Sequence, residues 1–266
     1  MTSLWLAMAL LAVAGGDGLR FEGSVAAGGG YDASLVLATG SGASGSAVAT
    51  VGASGGAALD VSDDVSLYLG ARLDGATFPG LPALDRTGAG AEASLLWQLA
   101  GPVALVLAPA VAWSWCADPA RSGAAVAGRV TLRVKPLPWL VVRAGYAHQL
   151  RTAADPVHAS DLDRVFAGAE LLLSPGTWVA LTGSADRGDQ TFYREPSPPP
   201  GGTAAVPAAL EPYRAPATGL AASLGVDREL GAGLSLSLAL TLQRVSTPAG
   251  SWSGPSAHGA LAWRWG

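Results

Sequence analysis

The chain has 266 residues, enough for one large β domain, and its 14% of charged side chains falls well below the ~25% usual for soluble domains. A net charge of −4 without any long basic run excludes a nucleic-acid partner recruited by charge. Cys116 is alone, which excludes a disulfide framework and a cysteine-based metal site, and the lack of Asn excludes any mechanism built on a catalytic asparagine.

The first element is a short apolar core from Leu4 to Leu11, followed by Ala12-Val13-Ala14. That small-x-small pattern predicts a signal peptide over residues 1–14 and a mature chain of 15–266, although no Lys or Arg precedes the core. About eight apolar residues are too few to span a bilayer.

Beyond this point the chain alternates with period 2, which marks strands with two different faces. The clearest case is Leu234 to Gln243, where every even residue is Leu and the odd ones are Ser235, Ser237, Ala239, Thr241 and Gln243. The expected strands are approximately 20–31, 45–60, 64–75, 87–99, 103–115, 123–135, 139–151, 163–173, 178–188, 217–229, 233–245 and 255–265. The run Ala93 to Cys116 is uncharged and long enough for a membrane helix, yet Gly101-Pro102 and Pro109 interrupt it. Proline in a helix interior costs ~3 kcal/mol, so two strands fit better. The connections alternate in length. Short turns fall at 61–63, 100–102, 136–138, 174–177 and 230–232, and longer loops at 32–44, 76–86, 116–122, 152–162, 189–216 and 246–254. Twelve strands joined in this way predict an all-β, transmembrane, antiparallel up-and-down β-barrel with both termini on one side. The Pro-rich loop 189–216 is expected to be a mobile surface loop that modifies access.

Aromatic residues gather near strand ends. Phe21, Trp97, Trp139, Trp178 and Trp265 fall at the short-turn end, and Tyr31, Trp113, Trp115 and Tyr146 towards the other, as two interfacial girdles would. Alternation leaves the expected lipid face nearly free of charge. Glu22, Arg72, Asp74, Glu92, Arg129, Arg133, Arg143, Glu170, Asp186, Asp227 and Arg264 collect on the opposite, lumen face. Small inward residues, among them Gly52, Ser54, Gly56, Ala104, Ala108, Ser223 and Gly225, leave room between them. Two readings follow: a lattice of ion pairs that braces and closes the lumen, or a constriction where an arginine ladder opposes acids and selects solutes.

The last strand ends on aromatics. His258, Trp263 and Trp265 stand at the polar and aromatic positions of polar-x-Gly-x-x-aromatic-x-aromatic, with Ala260 in place of the glycine. This ending resembles the C-terminal insertion signal of bacterial outer-membrane β-barrels. The resemblance implies export to the outer membrane of a Gram-negative bacterium, with short turns in the periplasm. It also implies as partners outer-membrane lipid, lipopolysaccharide and the barrel-assembly machinery.

Outer-membrane phospholipases are also twelve-stranded, and His158-Ala159-Ser160 has their His-x-Ser spacing. It falls in an expected loop, though, and lacks the partner asparagine, so no catalytic residue is assigned. Autotransporter translocators need a long passenger upstream, and only about five residues separate the expected cleavage site from the first strand. No Walker, Rossmann, zinc or EF-hand spacing occurs, and Asp60, Asp63 and Asp64 read as a turn, so neither cofactor nor metal is expected. The expected activity is passive diffusion of small polar solutes through a narrow porin-like lumen, without enzymatic chemistry. The alternative is a non-conducting structural or surface-interaction barrel.

Overall fold

The computed structural model describes residues 19–39, 42–194, 211–248 and 250–266. The expected signal peptide and residues 195–210 of the expected long loop lie outside them. The described chain forms β1 (Leu19–Thr39), β2 (Gly42–Ser62), β3 (Val65–Thr77), β4 (Arg86–Ala100), β5 (Val103–Cys116) and β6 (Gly123–Leu137). It continues through β7 (Leu140–Arg151), β8 (Ser160–Ser174), β9 (Thr177–Arg194), β10 (Glu211–Gly231), β11 (Leu234–Thr247) and β12 (Gly250–Trp265). Each strand pairs antiparallel with its sequence neighbours, and β12 closes onto β1 from Gly23↔Trp265 to Asp32↔Ser256. All twelve expected strands are present.

Period 2 becomes an inside-out distribution of side chains. Leu69, Leu73, Val111, Val126, Val130, Leu181, Leu224 and Leu238 face outward and are exposed, whereas small residues such as Ala58, Ala104, Ala180 and Ala262 are buried on the inner face. An apolar surface running round the whole wall is compatible with lipid and not with water. Phe21, Trp97, Trp139, Trp263 and Trp265 are exposed at the short-turn end, and Tyr31, Trp113, Trp115 and Tyr146 at the other. Trp178 departs from the expected girdle, because it shares the parity of buried Ala180 and so belongs to the inner face of β9.

The five inner turns between β2 and β11 have two residues each. The last, Ala232-Gly233, has positive φ at both positions (52° and 79°), the twist that closes a tight hairpin. Trp263 Nε1 donates to the Ala232 carbonyl at 3.1 Å and ties this turn to the inner girdle.

The outer ends correct the expected boundaries. Segments read as loops at 32–44 and 246–254 are largely strand, as are the described ends of 189–216: β1 reaches Thr39, β9 reaches Arg194, β10 begins at Glu211 and β12 at Gly250. Gly, Ser and Pro made these stretches look irregular. Pro212 and Pro216 lie where β10 pairs with β9 alone, since pairing with β11 starts at Thr218. An edge tolerates the missing N–H. Ala38 and Thr39 of β1 pair in parallel with Tyr193 and Arg194 of β9. The β1–β2 and β9–β10 hairpins therefore meet above the barrel rim, over the sector of β10 to β12.

Two apolar clusters sit at this outer end. Phe192, Ala217 and Trp252 pack with Tyr213, Ala215 and Val245, and the Phe192 and Trp252 rings stack at 5.4 Å. Val48, Ala76 and Phe78 pack with Leu81 and Leu84 on the β2–β4 side. The remaining sector, β5 to β8, carries two loops with 3-10 turns at Pro119–Arg121 and Pro156–His158.

Candidate solute pathway

The inner wall of β6 to β8 carries the densest positive charge. Strand parity places Arg129 and Arg133 of β6, Arg143 and Arg151 of β7, and Arg164 of β8 on the lumen face, with Glu170 among them. Arg133 and Arg143 are direct cross-strand partners, an arrangement that like charges disfavour. Glu170 offsets it: its Oε1 lies 2.8 Å from Arg143 Nη1, with the two side chains only 13% and 12% exposed. Arg143 Nη2 also donates to Thr182 Oγ1 at 3.4 Å. One strand further, Arg164 grips Asp186 with two bonds of 2.6 and 2.8 Å, the fork geometry that makes such pairs strong.

Arg129 and Arg133 are different. Among the described residues neither forms a salt bridge, and their nearest opposite charges, Glu92 and Glu170, act on them at longer range. Arg72 of β3 also forms no salt bridge among the described residues. A closed lattice of ion pairs would have matched these guanidiniums with carboxylates at contact distance.

The wall of β1 to β4 is more acidic. Glu22 and Asp32 of β1, Asp60 of β2, Asp74 of β3 and Glu92 of β4 face inward with Arg20 and Arg72. Arg20 pairs with Asp60 at 2.9 Å, and Ser66 Oγ donates to the same carboxylate at 2.7 Å. Tyr68 lies flat against this wall, over Gly56 and Gly70, which are paired across β2 and β3. A Cβ on either glycine would come within 2.5 Å of the Tyr68 hydroxyl, so glycine there keeps the ring out of the lumen. Asp227 is buried near the inner end and accepts from Ser237 Oγ, with Arg264 within electrostatic range. His258 is inward on β12, whereas Trp263 and Trp265 face outward.

Every residue expected on the lumen face has inward parity. The expected set did not include Arg164, Arg20, Asp60 or Arg151. Arg164 shares the parity of Glu170 on one strand and was legible; Arg151 fell at the edge of an expected loop.

The outward surface does carry charge above the outer girdle. His148 Nδ1 lies 3.0 Å from Asp163 Oδ1, which also accepts from the Tyr146 hydroxyl, and Arg214 pairs with Asp189 at 3.1 Å. His148 faces outward. His158 and Ser160 border one cleft, but no hydrogen bond joins them, so the His-x-Ser spacing builds no nucleophile–base pair. Among the described residues no group of three or more His, Cys, Asp or Glu is arranged to hold a metal ion.

No protein-family model and no curated protein sequence matches the chain. Solved structures do. An outer membrane channel from Pseudomonas putida F1 superposes with a TM-score of 0.61 at 10% identity, over 95% of this chain and 97% of that one. The NanC porin superposes with a TM-score of 0.50 at 9% identity, over 90% and 98%. The chain therefore has the fold of the bacterial outer-membrane β-barrels. At these identities the likeness establishes architecture, and the function must be argued from the lumen.

Proposed function

We propose that the protein is an integral outer-membrane channel for passive diffusion of small polar solutes, with Arg129, Arg133 and Arg143 of β6 and β7 and Arg72 and Glu92 of β3 and β4 lining its lumen. The observation that carries this reading is the pair Arg129 and Arg133, inward-facing and without a salt-bridge partner among the described residues. An unpaired guanidinium keeps its charge at low energy only where water reaches it. Small inward residues at Gly52, Ser54, Ala108 and Ser223 leave space for that water. Arg143, Glu170, Asp186, Asp227 and Arg264 complete the pore lining and shape the field a solute crosses. Passage needs no bond to be made or broken, so the chain acts without enzymatic chemistry. Lipid surrounds the wall, lipopolysaccharide contacts the outer collar, and the β12 ending delivers the chain to the barrel-assembly machinery.

A second reading, a non-conducting barrel, is favoured by the two apolar clusters at the outer mouth and by the Arg143–Glu170 and Arg164–Asp186 pairs. Proteoliposome swelling separates them. A channel gives swelling rates that fall steeply with sugar size and vanish above a cutoff. Folded, inserted protein that gives no swelling even with the smallest sugar contradicts the channel.

A further inference from the structure

The loops β5–β6 and β7–β8 contain the same pentapeptide pattern. Ala117-Asp118-Pro119-Ala120-Arg121 and Ala154-Asp155-Pro156-Val157-His158 both read Ala-Asp-Pro-x-basic. They fold alike. In each, the aspartate carboxylate accepts from the backbone N–H two residues on, at 3.1 and 3.0 Å, and a 3-10 turn follows that ends on the basic residue. The acids are thereby engaged in shaping their own turns, while the basic side chains are carried to one place.

The two turns are fixed to each other. Ala154 N–H donates to the Ser122 carbonyl at 2.8 Å and Asp155 N–H to the Ala120 carbonyl at 2.9 Å. Thr191 Oγ1 donates to the Val157 carbonyl at 2.8 Å and Arg151 Nη2 to the Arg121 carbonyl at 2.9 Å, locking the pair to β9 and β7. Between them lies a cleft of about 200 Å³ lined by Arg121, Arg151, His158, Ser160, Gln190 and Thr191, with Leu162 as its one apolar side chain. Among the described residues Arg151 forms no salt bridge; Cys116 hydrogen-bonds to its side chain, and Arg121 and Arg86 add positive charge around it. Leu162 and Gln190 also line the next cleft inward, beside Arg164 and Asp186, so the two spaces adjoin. The apolar clusters occupy the β9–β12 and β2–β4 sectors of the mouth. The basic cleft stands in the sector they leave.

We propose that the paired Ala-Asp-Pro-x-basic turns form an anion-binding vestibule in which Arg121, Arg151 and His158 capture a carboxylate- or phosphate-bearing solute ahead of the lumen arginines. Converging donors on a rigid frame bind an oxyanion without an ordering cost, and Ser160, Gln190 and Thr191 add neutral polar groups beside them. At about 200 Å³ the cleft is smaller than the ~300–1,000 Å³ of sites for drug-sized ligands, so it takes a charged group or a small acid. The role in uptake rests on the channel reading; the binding itself does not.

Isothermal titration of sulfate into the detergent-folded barrel tests binding apart from conductance. Sulfate resembles a phosphate monoester and holds its charge across the working pH range. Wild type is expected to bind one sulfate, and Arg121→Gln with Arg151→Gln to weaken it by at least about tenfold, the effect of losing charge-assisted hydrogen bonds. Arg228→Gln, which removes one positive charge from the exposed outer face near the inner turns, is expected to bind as wild type does, and Arg121→Gln and Arg151→Gln taken singly are each expected to bind more weakly than it. Folded wild type that binds no sulfate, or equal weakening in all variants, overturns the vestibule. Binding by a barrel that gives no conductance retains the vestibule and removes the channel; conductance without binding does the reverse.

Discussion

His158 is held at the outer mouth by its turn, with Arg121 and Asp118 facing it from one loop, Asp155 from its own, and Arg151 from the end of β7. Burial, and then the neighbouring arginines, push its pKa below the ordinary 6.5, against the pull of the two aspartates. The imidazole is therefore neutral at pH 7 in the folded protein. It gains its charge only as the pH falls through a value lower than that of an unfolded histidine. Sulfate affinity is predicted to rise on acidification, by up to about tenfold for one added charge near the anion, as His158 takes up its proton. His158→Gln is predicted to flatten that rise; an unchanged pH profile in the variant would remove His158 from the site. Parity cannot place such residues. Arg121 and His158 lie in loops, and only the repeat of Ala-Asp-Pro-x-basic hinted that they serve one place.

Strands were the most legible elements. A wall with lipid on one side and polar space on the other imposes period 2 on every strand, and Leu234 to Gln243 shows it without interruption. The rule also gives a stability prediction. Leu224 is outward on β10, paired with outward Leu181 and Leu240, and lies midway along the apolar band. Leu224→Arg is predicted to cost ~2–4 kcal/mol in the free energy of folding into lipid vesicles. The same change at Ala222, also outward, is expected to behave alike, whereas Ser223→Arg on the lumen face is expected to perturb much less. Equal losses at 223 and 224, measured by reversible urea titration, would contradict the assigned faces. The outer ends were less legible, because above the bilayer a hairpin no longer has lipid on one face. The Gly, Ser and Pro of β1, β2 and β10 there carry no alternation, and pairings such as Asp32↔Ser46 and Pro216↔Asp189 reveal them as strand.

Across the molecule, charge is sorted by wall. The β6–β8 wall carries Arg129, Arg133, Arg143, Arg151 and Arg164 against Glu170, and the β1–β4 wall carries more acids than arginines. The side chains of the two walls thus set a transverse field across the lumen, positive on one side. The inward set was legible from parity alone, since a wall two faces thick leaves each side chain only two choices. How the charges pair was not, because Arg143–Glu170 joins neighbouring strands whose register no single segment encodes. The most direct test of the whole account is single-channel conductance in a planar bilayer under a salt gradient, comparing wild type with Arg129→Ala and Arg133→Ala. The account predicts discrete steps in wild type and a reversal potential that moves towards cation preference in both variants. A folded, inserted wild type that stays silent, or steps whose reversal potential is the same in all three proteins, would contradict it.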